Sequence, residues 1–300
     1  MCVEMKFCIV TPCLNAAPYI DETIFSVLSQ TGPFRVRYHV QDGGSTDGTL
    51  EKLDRWRRLV EAGLPSCCDE IEFTFASEQD EGLYDAVNRG FAACGEGDVL
   101  SWINADDRYQ PAAFVAVAEI LRKFHNVRWL TGIASIIAQA GFDKGYMGRR
   151  LYPRKGIQAG IHDQRVFPFT FVQQEGTLWR QELWRKVGGL RSHLRLAGDY
   201  DLWRRFSTHA ELVVVDRVLG CFRMREGRLS QNLAAYYAEI DRLLSEPEKR
   251  NRERVSAAFQ SCRTEHELIA NEFATTIAHY DFRKESWELV RTAGIKFNLN

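Results

Sequence analysis

The strongest constraint in this chain is a rhythm. Over roughly its first third, short apolar runs alternate with amphipathic stretches, and three of the runs break off into polar clusters. Residues 6–11 (KFCIVT) make an apolar run of strand length. Pro18 suits a helical first turn, and Ile20, Ile24, Val27 and Leu28 fall on one helical face before Gly32-Pro33 ends it. Residues 35–41 (RVRYHVQ) predict a second strand. The loop 42–48 (DGGSTDG) offers Ser45, Thr46 or Asp47 as a cap for the next helix, whose stripe is Leu50, Leu53, Trp56 and Val60. Residues 70–76 (EIEFTFA) alternate with period two, a helix follows over 83–93, and 98–103 (DVLSWI) predict a fourth strand. Pro111 then opens a helix carrying Phe114, Val117, Leu121 and Phe124. Such alternation predicts an α/β fold with a mostly parallel sheet and right-handed crossovers. Ligands of such sheets bind at the carboxyl ends of the strands, where the clusters 11–15, 42–47 and 104–107 converge.

Further along, the rhythm loosens. Residues 127–133 and 135–140 predict a strand pair. Residues 143–163 read as a long Gly-, Lys- and Arg-rich loop of the kind that forms lids or acceptor sites. Strand is expected over 166–173, a short helix over 181–187 ended by Gly188-Gly189, a helix over 199–207, and closing strands over 211–215 and 218–222. From Asn232 the pattern is helical and charged, with no glycine before Gly294. Residues 1–230 are therefore expected to form one domain and 231–300 a helical extension.

The formal net charge of −1 excludes a general nucleic-acid binder, which carries a basic excess. The 8 cysteines contain no CxxC pair and read as reduced thiols. The first residues show no signal peptide, and no apolar run approaches the ~20 residues of a membrane span. The expectation is a cytoplasmic protein, at most at the inner face of the cell membrane.

Asn104-Ala105-Asp106-Asp107 follows a buried strand. Adjacent carboxylates there suit Mg²⁺ or Mn²⁺ shared with a diphosphate, or simply a turn before Pro111. Asp42 can accept hydrogen bonds from a base or ribose, with two glycines letting the backbone approach, or close an ordinary strand–loop–helix turn. Asp199 and Asp201 lie at a helix start, as cap or as general base toward a hydroxyl. Trp102, Trp179, Trp184 and Trp203 are candidates for stacking on a sugar ring, weighed against the core, where most aromatics lie. His39, His125, His162, His193 and His209 are scattered without metal-ligand spacing and read as structural.

The run IVTPCLNAAPYIDETIFSVLSQT, followed by HVQDGGSTDGT, resembles the opening of family-2 glycosyltransferases. The resemblance continues through residues 78–90 (EQDEGLYDAVNRG), 102–107 (WINADD), 173–189 (QQEGTLWRQELWRKVGG), 198–204 (GDYDLWR) and 220–223 (GCFR). It thus covers about residues 6–230, and its flavour is that of bacterial surface-polysaccharide and colanic-acid-type gene clusters. It implies a GT-A fold, a UDP- or GDP-sugar donor, a divalent cation (Mn²⁺ or Mg²⁺) and inversion at the anomeric carbon. By that likeness Thr11, Pro12 and Asn15 line the nucleotide, Asp42 meets its base or ribose, and Asp85 and Asn104 join the donor contacts. Asp106 and Asp107 stand as metal ligands, Gln174 and Glu175 lie near the donor sugar, and Asp199 is the catalytic base. Four positions depart from the pattern. Asn104 replaces the first Asp of D-x-D, Val87 an Arg, Gly198 the Glu of an E-D pair, and Arg225 a His. Arg225 could hold the diphosphate directly as a fixed cation.

The expected function is an inverting glycosyltransferase acting on a hydroxyl of a saccharide or lipid-linked saccharide, in bacterial polysaccharide or glycoconjugate synthesis. The alternative, kept open by Asn104 and Gly198, is a sugar-nucleotide binder with weak or no turnover. A nucleotidyltransferase wants a glycine- and basic-rich loop after the first strand, and residues 11–15 have no basic side chain. A dehydrogenase is weaker still, since no glycine fingerprint follows a strand. The helical tail is a candidate for a homodimer contact or a peripheral membrane contact, against ordinary solvated helices.

Overall fold

The computed structural model of the chain describes residues 5–163, 165–166, 171–228 and 231–293. Strand β1 (Met5–Cys13) sends Phe7 and Ile9 into one apolar core and Cys8 and Val10 into another, all four wholly buried. A strand covered on both faces reads as a continuous apolar run rather than an alternation, as residues 6–11 do. Helix α1 (Ile20–Leu28), β2 (Gly32–Asp42), α2 (Thr49–Glu61), β3 (Cys68–Ser77), α3 (Leu83–Cys94), β4 (Val99–Trp102), β5 (Arg108–Tyr109) and α4 (Ala113–Lys123) follow, close to the expected places. Then come β6 (Trp129–Thr131), β7 (Ser135–Ala138), β8 (Asp143–Tyr146), α5 (Arg154–Ala159), a tight 3-10 turn at Gln174–Gly176, β9 (Thr177–Arg180), α6 (Gln181–Val187), α7 (Gly198–Ser207), β10 (Leu212–Val215) and β11 (Gly220–Met224). Helices α8 (Leu233–Leu243), α9 (Glu246–Ser261) and α10 (Glu265–Ala270) lead into the hairpin β12 (Thr275–Asp281) and β13 (Ser286–Thr292).

Nine strands form one sheet in the order β13-β12-β10-β6-β9-β4-β1-β2-β3, and four form a small sheet, β5-β11-β7-β8. The large sheet is mostly parallel, with β9 antiparallel to β4 and β6 and β13 antiparallel to β12. This is the α/β architecture expected. Helices α1, α2 and α4 cover one face through Ile24, Leu53 and Phe114, and α3, α6 and α7 cover the other through Val87, Leu183 and Phe206. Pairing of Cys13 with Asp42 and of Val10 with Trp102 brings the ends of β1, β2 and β4 to a common edge.

Several expectations are corrected. The regions 127–133 and 135–140 do not pair with each other. β6 lies in the large sheet, β7 pairs with β11 and β8 in the small one, and residues 132–134 carry the chain between them. The closing strands β10 and β11 are divided between the sheets in the same way. The presumed loop 143–163 contains β8 and α5; β8 is exposed throughout, and Gly156 and Gly160 hide the helical periodicity of α5. Of the expected strand 166–173, residues 167–170 lie outside the described residues and 171–173 are not strand. The cap position of α2 falls to Gly48, with Asp47 accepting the Thr49 N–H at 3.1 Å. The segment after 231 is helical only through Ala270. Its hairpin then extends the large sheet, and Trp287 packs against the core containing Phe7 while donating to Glu119 at 2.8 Å. Among the described residues no helix is long and apolar enough to cross a membrane.

Candidate active site

At the β1–β2 edge, three expected ligand contacts, Thr11, Pro12 and Asp42, turn inward. Thr11 is wholly buried with its hydroxyl 2.9 Å from that of Tyr38, and Pro12 is buried beside it. Asp42 is also wholly buried. It accepts from Gly44 N–H (3.0 Å), Ser45 N–H (2.9 Å) and Ser77 Oγ (2.7 Å), while Ser45 Oγ donates to its other oxygen. The reading of Asp42 is therefore narrowed: its carboxylate shapes the loop. What faces outward is Leu14 and Asn15, the latter in the left-handed region at φ 49°. Asn15 zips the two loops together, donating its N–H to Ser45 Oγ (2.7 Å) and accepting from Thr46 N–H (2.9 Å). Asp85 sits in the first turn of α3, accepts from Glu81 N–H at 3.1 Å and pairs with Arg89 at 2.8 Å.

Beyond β4 the geometry becomes chemically denser. Asp107 is buried, accepting from the Arg223 N–H at 2.7 Å and from Asn104 Nδ2 at 3.0 Å. Burial, with the charges of Glu175 and Asp106, holds its carboxyl well above the usual range. Glu175, in the 3-10 turn, is pushed up to about 7, first by burial, then by the charges of Asp199 and Asp106. Against burial, hydrogen bonding with the Asp107 side chain lowers the Glu175 carboxyl, and Glu175 Oε2 is buried without a partner. The 3-10 turn is pressed against β11, where a Cβ at Gly220 would stand 2.0 Å from the Glu175 carbonyl oxygen, so only glycine fits. Gln174 donates to the Trp102 carbonyl, and its Oε1 and Asn104 Oδ1 are buried without a partner.

Two arginines from the end of β11 close this side. Arg223, its side chain wholly buried, donates to the carbonyls of Asp106 (2.6 Å), Ala138 (3.2 Å) and Gln139 (2.9 Å) and pairs with Glu22 at 2.6 Å. Arg225 pairs through Nε with the part-exposed Asp106 carboxylate. Both guanidiniums lie over the Tyr19 ring, at 5.3 and 5.5 Å. Arg223 was legible only as part of the GCFR run. Glu22 and Tyr19 gave no signal, because nothing in a surface helix marks which side chain meets a strand two hundred residues on.

Asp199 heads α7, where its Oδ1 accepts the Tyr200 N–H at 2.8 Å. Burial is the main cause that raises its carboxyl, to about 6. It borders a cavity of about 20 Å³, room for one water, shared with His162, Phe171 and Tyr236. Gly198 has no space for the side chain the resemblance places there: a Cβ would stand 2.6 Å from the Tyr84 ring. The stacking expectation for the tryptophans is overturned for Trp102, Trp179 and Trp203, which are buried and pack against one another at 5.5 to 5.8 Å. Trp184 stacks on Trp179 from behind.

For a divalent cation the donor set offers one open hard ligand. Asp106 is outward, whereas both oxygens of Asp107 are engaged, and among the described residues no group of three or more His, Cys, Asp and Glu is arranged to hold a metal. That fits a cation brought in with a diphosphate, which Mg²⁺ and Mn²⁺ favour, rather than a preformed cage.

Strand-end acids beside arginines, on a doubly covered and mostly parallel sheet, make this an α/β protein of the class that binds ligands at the carboxyl ends of its strands. Residues 8–159 match the family described as Glycosyl transferase family 2, and the chain belongs to it. It is 25% identical over 189 residues to an uncharacterised glycosyltransferase of Nostoc sp., covering 61% of this chain and 53% of that one. It is 27% identical over 133 residues to a Bacillus subtilis glycosyltransferase named for teichuronic acid biosynthesis, covering 44% and 48%. The chain thus spans about half the length of these relatives. Among solved structures, S. aureus TarS in complex with UDP-GlcNAc superposes with a TM-score of 0.58 at 16% identity, covering 89% of this chain and 73% of that one. A mannosyltransferase from Pyrobaculum calidifontis in complex with GDP-Man and Mn²⁺ superposes with a TM-score of 0.55 at 16% identity, covering 89% and 78%. The fold is that of these GT-A glycosyltransferases.

Proposed function

We propose that the chain transfers a sugar from a UDP- or GDP-sugar to a hydroxyl of a saccharide or lipid-linked saccharide, with inversion, in polysaccharide or glycoconjugate synthesis. The observation that carries this reading is the cluster itself: Asp106, bonded to Arg225, and Asp107, bonded to Arg223 and Asn104, stand at the end of β4 beside the 3-10 turn that holds Glu175, whose carboxyl the charges of Asp199 and Asp106 help raise. Asn15 and the backbone of residues 43–45 receive the nucleotide on a loop that Asp42 holds rigid. Arg225 swings from Asp106 onto the diphosphate, since its guanidinium is part-exposed and lies over the Tyr19 ring beside the carboxylate. Asp106 would hold the divalent cation, which would supply charge neutralisation on the leaving phosphate. Glu175 and Gln174 face the donor sugar, with the Gln174 and Glu175 oxygens free to accept from its hydroxyls.

Asp199 is the base. With its carboxyl near 6 it is ionised at neutral pH and takes the acceptor's hydroxyl proton. The acceptor oxygen bonds to the anomeric carbon from one side as the bond to the diphosphate oxygen breaks on the other. That electron pair leaves with the nucleoside diphosphate, and the proton stays on Asp199. A panel of UDP- and GDP-sugars, with Mn²⁺ and saccharide acceptors, read by mass spectrometry, tests the proposal. Transfer slowed by at least about a hundredfold in Asp199→Asn is the expected result. Donor binding without transfer to any acceptor would instead make the protein a sugar-nucleotide binder.

A further inference from the structure

Helix α8 belongs to the C-terminal segment, which the sequence offered only as a dimer or membrane contact or as solvated helices. Near its middle, Glu239 reaches the strap between α6 and α7. One of its oxygens accepts the N–H of Arg195 at 2.8 Å; the other accepts those of Leu196 at 2.7 Å and Ala197 at 2.6 Å. A single carboxylate thus gathers three successive amides just before the first turn of α7, and Asp199 is two residues on. The strap is gripped from the opposite side as well: Tyr84, on α3, donates its hydroxyl to the Leu196 carbonyl at 2.8 Å. One turn before Glu239 on the same helix, Tyr236 walls the cavity beside Asp199 and meets Phe171 edge to face at 5.8 Å.

We propose that Glu239 is a positioning residue for the base, fixing the backbone of 195–197 and through it the aim of Asp199 at the acceptor. The inference rests on the reading of Asp199 as base given above. Three charge-assisted bonds to one part-buried carboxylate leave the strap a single placement, because any shift would strip a donor from it. Proton transfer tolerates little error, since a misplacement of about 1 Å can cost on the order of a hundredfold in rate. The carboxylate has a second effect. Glu239 faces Asp199 from α8, and its charge helps hold the Asp199 carboxyl up. The other groups around Asp199 are Tyr236 on α8, Glu175 from the 3-10 turn, Tyr84 from α3, Arg204 on α7 and His162. Of these, Tyr84 also feels the Glu239 charge.

The test uses the whole chain, with turnover followed across pH and affinity measured for UDP and GDP. Glu239→Gln retains an acceptor oxygen and removes the charge. Turnover is expected to fall at least about tenfold with nucleotide affinity unchanged, and the acidic limb of kcat/KM to move to lower pH. Glu239→Asp keeps the charge and shortens the reach, so turnover falls while the limb stays. Wild-type turnover in both variants overturns the role of Glu239, as does a loss of nucleotide affinity that parallels the loss of turnover. If Glu239→Gln does not fold, Glu239→Asp decides by the same criteria. Turnover reduced less than about a hundredfold in Asp199→Asn refutes the base assignment, and this proposal with it. Turnover that falls by more than that in Asp199→Asn but is intact in both Glu239 variants refutes this proposal alone.

Discussion

A methyl group at position 198 is the sharpest probe of how the base is held. Gly198 opens α7, and a Cβ there would lie 2.6 to 2.7 Å from Cε2, Cδ2 and Cζ of Tyr84. Tyr84 has little room to yield: it is 3% exposed and its hydroxyl is bonded to the Leu196 carbonyl at 2.8 Å. Overpacking of this kind costs about 1–3 kcal/mol, and a broken buried hydrogen bond adds about 1 kcal/mol. Alanine's better helix propensity returns up to about 1 kcal/mol. The clash therefore outweighs the propensity, and Gly198→Ala should destabilise by about 1–3 kcal/mol, lowering the melting temperature by roughly 2–6 °C. Calorimetry on the purified variant measures this, and a double-mutant cycle assigns it. Combined with Tyr84→Leu, the alanine should cost at least about 1 kcal/mol less than it does alone, because the ring it strikes is gone. Turnover should fall with the shift of α7. An alanine variant as stable as wild type, or additivity with Tyr84→Leu, would refute the argument from close packing.

Four further outcomes follow from the site. Asp199→Asn should lower turnover about 10²–10⁴-fold, and wild-type kcat/KM should rise through a limb near pH 6 as Asp199 loses its proton. Glu175 is a carboxyl raised by folding to about 7, so the folded state binds more protons than the unfolded one below that pH, and stability declines as pH rises toward it. Glu175→Gln should flatten that decline and melt higher than wild type at pH 8, by at most about 3 kcal/mol; an unchanged slope would contradict the buried pair with Asp107. Arg223→Met strips hydrogen bonds from three carbonyls and an ion pair from Glu22, and should destabilise by about 3 kcal/mol in urea titrations. Because no group of three metal-ligating side chains is preassembled among the described residues and both oxygens of Asp107 are engaged, Mn²⁺ should raise the melting temperature markedly only when UDP or GDP is also present; a large shift with Mn²⁺ alone would point to a preformed metal site.

Much of this was written locally. The βα alternation, the two-sided burial of β1 and the short helix ended by Gly188-Gly189 depend on residues within a turn or two of one another, so periodicity and breakers reveal them. The polar clusters at the ends of β1, β2 and β4 were legible for the same reason, as were their residue types. What could not be read was their state of engagement. Asp42 and Asp107 look as available in sequence as Asp106, yet the first two are held by Ser45, Ser77, Asn104 and Arg223 and only the third opens outward. The tryptophans carry no mark that separates a sugar platform from the aromatic cluster they build.

The sequence by itself determined the fold class, the order of the core elements and which strand ends carry acids, because hydrophobic period and turn chemistry act over a few residues. Tertiary structure alone decided that β7 and β11 leave the main sheet, that β12 and β13 join it, and that Arg223, Arg225 and Glu239 reach acids or amides as many as two hundred residues away. Those pairings depend on how packed layers bring distant surfaces into register, and no local pattern encodes that distance.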